Sequence, residues 1–323
     1  MSPLSARGWA ATVAAVGVVC ALPPFLSSSW LLVMFLSFLW LILTANYDVL
    51  DGFLGHINLG QGAFFGLGAY VATILLNVPA IQELGLLALG VITVGAVLAA
   101  ALFAAVMAFP LFRLKGLYFA IGTLILIFLL QVLALNITPL TGGSYGLYVP
   151  PRFFMSALVG YYLALGLALV SVGLNLYLSR STLGLAFRCI KEDEDAADSI
   201  GLNLMRYKTI AIVIASLPSA AAGVLFALNS GFIDPNIALG VERSLLPSLM
   251  ALLGGTGTVL GPVFGTAIIR IIETVFFHYL RLPIPSMLFF GVTLLAVALF
   301  IPEGLLKSPR MKRLPLFRAL ASY

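Results

Sequence analysis

The sequence predicts an all-α, polytopic integral membrane protein, and three observations predict it. Of 323 residues, 62% are hydrophobic and 9% charged, with a mean hydropathy of +1.13. A soluble domain carries about 25% charged residues, so this chain has too little polar surface to face water on all sides. Uncharged runs long enough to cross a bilayer recur along its length. The basic residues, finally, gather on alternate connections.

A crossing helix needs about 20 apolar residues. Qualifying runs lie near 9–26, 30–47, 58–76, 84–109, 116–136, 157–178, 209–228 and 285–301. The stretch 244–278 exceeds one span and is interrupted by GGTGTVLGP (254–262), so it reads as two short spans, 244–258 and 260–278, meeting at a turn. About ten transmembrane helices result, some short or broken. Residues 9–22 follow Arg7 as a signal-peptide core would. The apolar run continues through Pro23 and Pro24 without a clean cleavage site, so it reads as an uncleaved first span.

With the N-terminus placed inside, Arg7, Arg113, Lys115, Arg180, Arg188, Lys191, Arg206, Lys208, Lys307, Arg310, Lys312, Arg313 and Arg318 fall on the inner side. Arg152, Arg243 and Arg281 fall outside, and Arg270 stays within a span. This bias predicts a multi-pass membrane protein with both termini cytoplasmic. It divides the chain into an N-terminal span (1–29), a transmembrane domain (30–306) whose longest cytoplasmic loop is 179–208, and a basic cytoplasmic tail (307–323). The net charge of +5 is explained by this bias, with no nucleic acid needed as partner; the bilayer is the partner that composition demands. Cys20 and Cys189 give neither a disulfide framework nor a metal site.

The cytoplasmic loop holds RCIKEDEDAADSIGLN (188–203), with five of the twelve acidic residues. Its residues favour helix up to Ser199, with Gly201 at the C-terminal cap. Ala196 and Ala197 form a small flat patch for another protein surface. Arg188, Lys191, Glu192, Asp193, Glu194 and Asp195 supply charge pairs that fix register; the bland reading is a solvated loop.

The glycines come next. GHINLGQGAFFG (55–66) and GTGTVLGPVFGT (255–266) echo one another, with Phe64 and Phe264 at equal offsets. Paired repeats with broken helices are common in transporters. Gly55, Gly60, Gly62, Gly254, Gly255, Gly257 and Gly261 are therefore candidate broken-helix positions, with Asn58, Gln61, Thr256 and Thr258 as polar pathway lining. Close helix packing is the plainer reading of the same glycines. Arg270 and Glu273, three apart on one helix, can pair. The spans are otherwise nearly free of charge, which argues against an ion-coupled carrier. GGSYG (142–146) matches a serine-nucleophile pattern at Ser144, but His56 falls on the opposite side of the membrane, leaving an intramembrane serine hydrolase as a remote alternative. No phosphate-binding loop occurs, so any ATP would be bound by another chain.

DAADSIG (195–201) resembles the coupling-loop motif of ABC importer permeases, with Asp195 in place of Glu. NLGQGAFFGLGAYVATILL (58–76), LKGLYFAIGTL (114–124), LTGGSYGL (140–147), STLGLAFRCIKEDEDAADSIGLNLMRYK (181–208), ALLGGTGTVLGPVFGTAII (251–269) and IPEGLL (301–306) occur in the order found in branched-chain amino-acid ABC permeases of the M-subunit type. The resemblance covers about 30–306; urea and short-chain amide permeases are similar. It implies an ABC importer permease fold and, in the bacterial inner membrane, a translocation subunit without enzymatic activity. It further implies that Arg188, Lys191, Glu192, Asp193, Glu194, Asp195, Ala196, Ala197 and Gly201 couple the chain to an ATPase. The implied partners are a related permease chain, two cytoplasmic ATPase subunits that bind the ATP, and an outside solute-binding protein.

Overall fold

The computed structural model describes residues 16–279, 288, 291–293, 295 and 304–306. Arg7, Arg281, the tail 307–323, most of the span expected at 285–301 and the start of that at 9–26 lie outside the described residues. The ten main helices are α1 (Ser28–Asp48), α2 (Gln61–Leu76), α3 (Leu87–Leu111), α4 (Leu117–Asn136), α5 (Ala157–Arg180), α6 (Thr182–Glu192), α7 (Glu194–Ser199), α8 (Leu204–Ser230), α9 (Glu242–Gly254) and α10 (Gly261–Glu273). A two-residue strand at Leu147–Tyr148 pairs antiparallel with Phe232–Ile233. The fold is all-α, as the composition requires.

Among the described residues, six helical stretches are long and apolar enough to cross a membrane: Ser28–Phe53, Leu87–Leu111, Leu117–Asn136, Ala157–Arg180, Leu204–Ser230 and Pro235–Gly254. The stretch expected as a span at 58–76 forms a shorter α-helix, α2; that expected at 260–278 is helical from Gly261 on, α10 continuing into a π-helical turn at Thr274–Tyr279. At 1.5 Å per residue, α2 is about 24 Å long, against roughly 30 Å of hydrocarbon. Its glycine-rich start unwinds residues that apolarity alone assigns to helix.

Burial follows side-chain size rather than polarity. α2 is enclosed on nearly every side and lies against α8 and α3. Its small residues permit that contact. A Cβ on Gly68 would sit 2.2 Å from the Ala220 carbonyl oxygen, and one on Gly223 of α8 would sit 2.0 Å from that of Phe65. Along α3, Ala88, Ile92, Ala96, Ala100, Ala104 and Ala108 are fully buried, while Val94, Leu98, Leu102 and Val106 are more than half exposed. Small residues face the bundle and large apolar ones face outward, as lipid demands, because hydrocarbon offers no hydrophobic force to join helices and close backbone packing must do so. α1 packs on α5, α9 and α10, and α9 and α10 form a tight hairpin.

Replacing Gly223 with Leu should wedge α8 away from α2 and destabilise the protein by about 3 kcal/mol or more. Gly90, with open space around its Cβ position, should accept Leu with a change within about 0.5 kcal/mol. Thermal unfolding of both variants in detergent checks the contrast.

Candidate functional site

The charged segment forms two helices set at an angle by one residue. Ser181 caps α6, its Oγ accepting from Gly184 N at 3.1 Å. Asp193 then leaves helical geometry (φ −160°, ψ 113°). Its Oδ1 accepts from the backbone N–H groups of Asp195 and Ala196 at 2.9 and 3.0 Å, starting α7. α7 ends at Gly201 (φ +85°). Gly201 N donates to Asp198 O and Leu202 N to Ala197 O, the Schellman arrangement. Gly201 is thus the expected cap, while helix favoured through Ser199 proves interrupted at Asp193.

The inner face of this pair grips the bundle. Gly184, Phe187, Ile190 and Ala197 are buried. Ala197 is 2% exposed and helps seat the loop on its own chain, while also forming part of the floor of the outer groove beside the exposed Ala196. Glu194 bonds the Lys208 ammonium at 2.7 Å and meets His56 Nε2 at 3.3 Å. Lys191 Nζ donates to Gly52 O at 2.8 Å, and Arg188 donates to Ser179 O at 3.1 Å. Three of the charges read as register-setters thus also bond to this chain, though Arg188 lines the outer groove as well and Lys191 stays exposed. Glu192, Asp193, Asp195 and Asp198 remain exposed.

The outer face carries a groove of roughly 470 Å³ lined by Leu185, Arg188, Cys189, Glu192, Ala196 and Ile200. Leu185 and Ile200 are 57% and 73% exposed. Sequence reading missed both, although Leu185 and Cys189 share a helical face and Ile200 directly precedes the cap glycine.

Behind the loop the two glycine breaks meet. α1 runs into a π-helical turn, Val49–Phe53, and Asp48 Oδ1 accepts from Gly257 N at 2.7 Å. A Cβ on Gly257 (φ +76°) would lie 2.9 Å from Gly52 O, and one on Gly254 would lie 1.8 Å from Gly261 O. Gly304 packs on Gly255, and Leu305 and Leu306 donate to Leu253 O and Gly254 O. The echo survives in three dimensions: Gly55 (φ +77°) and Gly255 (φ +108°) each stand six residues before a helix that opens at Gln61 or Gly261.

The polar candidates occupy this junction as partners of freed backbone. Asn58 accepts from Gly60 N at 2.9 Å and donates to Gln61 Oε1. Gln61 donates to Ala215 O and Ser219 Oγ of α8. Gly62 N donates to Ser244 Oγ. Thr258 links Gly255 O to Gly261 N, and half-buried Thr256 sits in the same turn. Gly55 lies under Lys191, Gly60 against Thr123. Asp48, whose carboxylate ties the breaks together, was missed in the sequence because it reads as the polar end of a span.

Arg243 lies elsewhere than expected. Instead of an outside loop it occupies the first turn of α9, its guanidinium 5.0 Å from the ring centroids of Trp40 and Phe65 and 4.7 Å from Phe226. Arg270 pairs with Glu273 as predicted and also donates to Ser37. Ser144 is exposed in a turn beyond the far end of α4 from His56, whose ring packs near Gly116; no nucleophile–base pair forms there among the described residues.

A helical membrane protein with short, broken helices and a capped charged loop docked on the breaks has the build of a transport permease. The model of the family described as "branched-chain amino acid transport system / permease component" matches residues 29–298, and the chain belongs to that family. It is 27% identical to the high-affinity branched-chain amino acid transport system permease protein LivM of Escherichia coli, over 92% of this chain and 75% of that one. Against BraD of Pseudomonas aeruginosa, similarly named, identity is 27% over 84% of this chain and 92% of the relative. The LivH protein of Escherichia coli is 26% identical over the same shares. No solved structure matches the chain. The chain is therefore a permease component rather than an enzyme.

His56 is buried beside Phe112 and Phe119. Burial, and then the Lys208 ammonium, hold its pKa below the ordinary 6.5, against smaller upward effects from Leu54 O and Glu194. The folded loop thus binds less proton than the unfolded one, so docking is strongest above about pH 6.5 and weakens as pH falls through the lowered value. Exchange protection of residues 188–203, corrected for intrinsic rates, should decrease between about pH 7.5 and 5.5. His56→Phe should remove most of that dependence.

Proposed function

We propose that this chain is the membrane-translocating subunit of an ATP-driven ABC importer of branched-chain amino acids in the bacterial inner membrane. Its partners are a related permease chain, two cytoplasmic ATPase subunits and an outside solute-binding protein, and both its termini are cytoplasmic. The observation that carries this reading is the two-faced loop: α6 and α7 lock onto the helix breaks on one side and present an apolar groove with an acidic rim on the other. A helix pair laid into a partner's cleft buries such a face.

Coupling follows from the bonds already described. Closure of an ATPase dimer displaces the groove. Lys191 carries that displacement to Gly52, and Glu194 carries it to His56 and Lys208. Both routes end at the junction of α1, α2, α9 and α10, where short helices leave room for a change of opening. The loop must hold its partner differently in the outward and inward states, because only a differential contact shifts a conformational equilibrium.

Two substitutions test this. Gly201→Trp places a bulky residue in a left-handed conformation costing about 1–2 kcal/mol and should lower leucine uptake at least tenfold in vesicles containing the partner subunits; Gly201→Asn should keep most of it. Ile200→Asp should abolish retention of the ATPase during purification. Wild-type uptake by Gly201→Trp would remove the coupling role. Uptake of urea or amides but not leucine would reassign the solute.

A further inference from the structure

Among the described residues, the interior cations of the bundle are spoken for, with one exception. Lys208 has Glu194, and Arg270 has Glu273 and Ser37. Arg243 has no salt bridge and makes no hydrogen bond among the described residues, and its Nε is shut off from solvent. A guanidinium carries five N–H donors, and in half-buried Arg243 none of them is bonded within the described residues.

What Arg243 does have is aromatic faces. Trp40, Phe65 and Phe226, all at most 8% exposed, surround it at 4.7 to 5.0 Å. Such contacts strengthen when desolvated. They hold the cation by ring quadrupoles and use none of its N–H donors. The same residue touches the broken-helix junction: a Cβ on Gly62 would lie 2.8 Å from Arg243 Cβ and 2.9 Å from Ser244 Oγ. Eleven residues separate Arg243 from Gly254, about 16 Å along α9, which sets the charge well inside the bundle, away from the docked loop.

Resting on the branched-chain amino acid reading above, we propose that Arg243 is the anchor for the carboxylate of the solute in transit, with Trp40, Phe65 and Phe226 as the wall against which its apolar side chain lies. A carboxylate takes two parallel N–H bonds from guanidinium. A cation beside an aromatic wall therefore matches a molecule with an anionic head and a branched hydrocarbon tail. Urea or a neutral amide would leave the cation unpaired.

The complete complex, reconstituted in proteoliposomes with its ATPase and solute-binding partners, tests the anchor by uptake of labelled leucine. R243Q should reduce uptake at least tenfold and R243K should retain an intermediate rate. If wild type and R243Q import leucine equally, the anchor is wrong while the importer reading stands; if wild type imports urea but no leucine, the reading itself fails and takes the anchor with it. A second measurement keeps Arg243 intact, with Trp40 made the sole tryptophan by Trp9→Phe and Trp30→Phe. Its emission should respond to 4-methylpentanoate at a concentration at least tenfold lower than to 4-methylpentanamide. Equal responses to the matched acid and amide, or none to either, would overturn the proposal.

Discussion

Backbone set free inside a membrane must find a partner within the protein, because hydrocarbon supplies none. This chain breaks α-helical geometry at 49–60 and again at 255–260, and much of the junction exists to meet that requirement. Asp48 reaches Gly257 N, Asn58 reaches Gly60 N, Thr123 reaches Leu59 N, and Thr258 reaches Gly261 N. Lys191 then takes Gly52 O from the adjoining loop. The breaks and the loop are thus joined in one hydrogen-bonded assembly through Lys191 and Glu194.

That assembly explains the distribution of polarity. The outer helices need only small residues toward the bundle and large apolar ones toward lipid, as α3 has. Within regular helix the buried polar side chains are small or amide groups bonded to backbone carbonyls, such as Thr44, Thr73, Ser171 and Asn175, and charges gather where helix stops or where a partner is at hand. Arg270 and Glu273 neutralise each other one turn apart, and Glu194 serves two bases from one carboxylate. Arg243, with three aromatic rings and no acid bonded to it, departs from this economy at a place where glycines and a serine bring α2 and α9 together.

Much of this was legible in the sequence. Apolar runs located the long helices within a few residues, and the glycine-rich interruption at 254–262 located the α9–α10 turn. The i, i+3 spacing gave the Arg270–Glu273 pair, and Gly201 was read as a cap. What was not legible depends on packing between distant segments. Hydropathy cannot distinguish a crossing helix from a short enclosed one, so 58–76 read as a full span. Composition cannot say which side of an amphipathic loop meets its own chain, so the burial of Ala197 and the bonds of Lys191 to Gly52 and of Glu194 to Lys208 were not foreseen. Arg243 read as an aqueous residue because a lone arginine before an apolar run ordinarily marks a membrane boundary; its aromatic neighbours come from α1, α2 and α8, far away in the chain.

The buried stripe of α3, alanine at every position but Ile92, recurs every four residues, whereas the helix repeats every 3.6. Each step therefore turns the stripe by about 40°, and from Ala88 to Ala108 it winds about 200° around the axis. The two ends accordingly belong to different neighbourhoods: Ala88, Ile92 and Ala96 join Ala72, Leu76 and Val224, while Ala104 and Ala108 join Phe64 and Phe119. A helix threaded through two cores in this way has no smooth axis to slide or spin about. Any rocking of the transporter has to carry α3, α2 and α8 together as a single rigid block, leaving the hinge to the glycine turns.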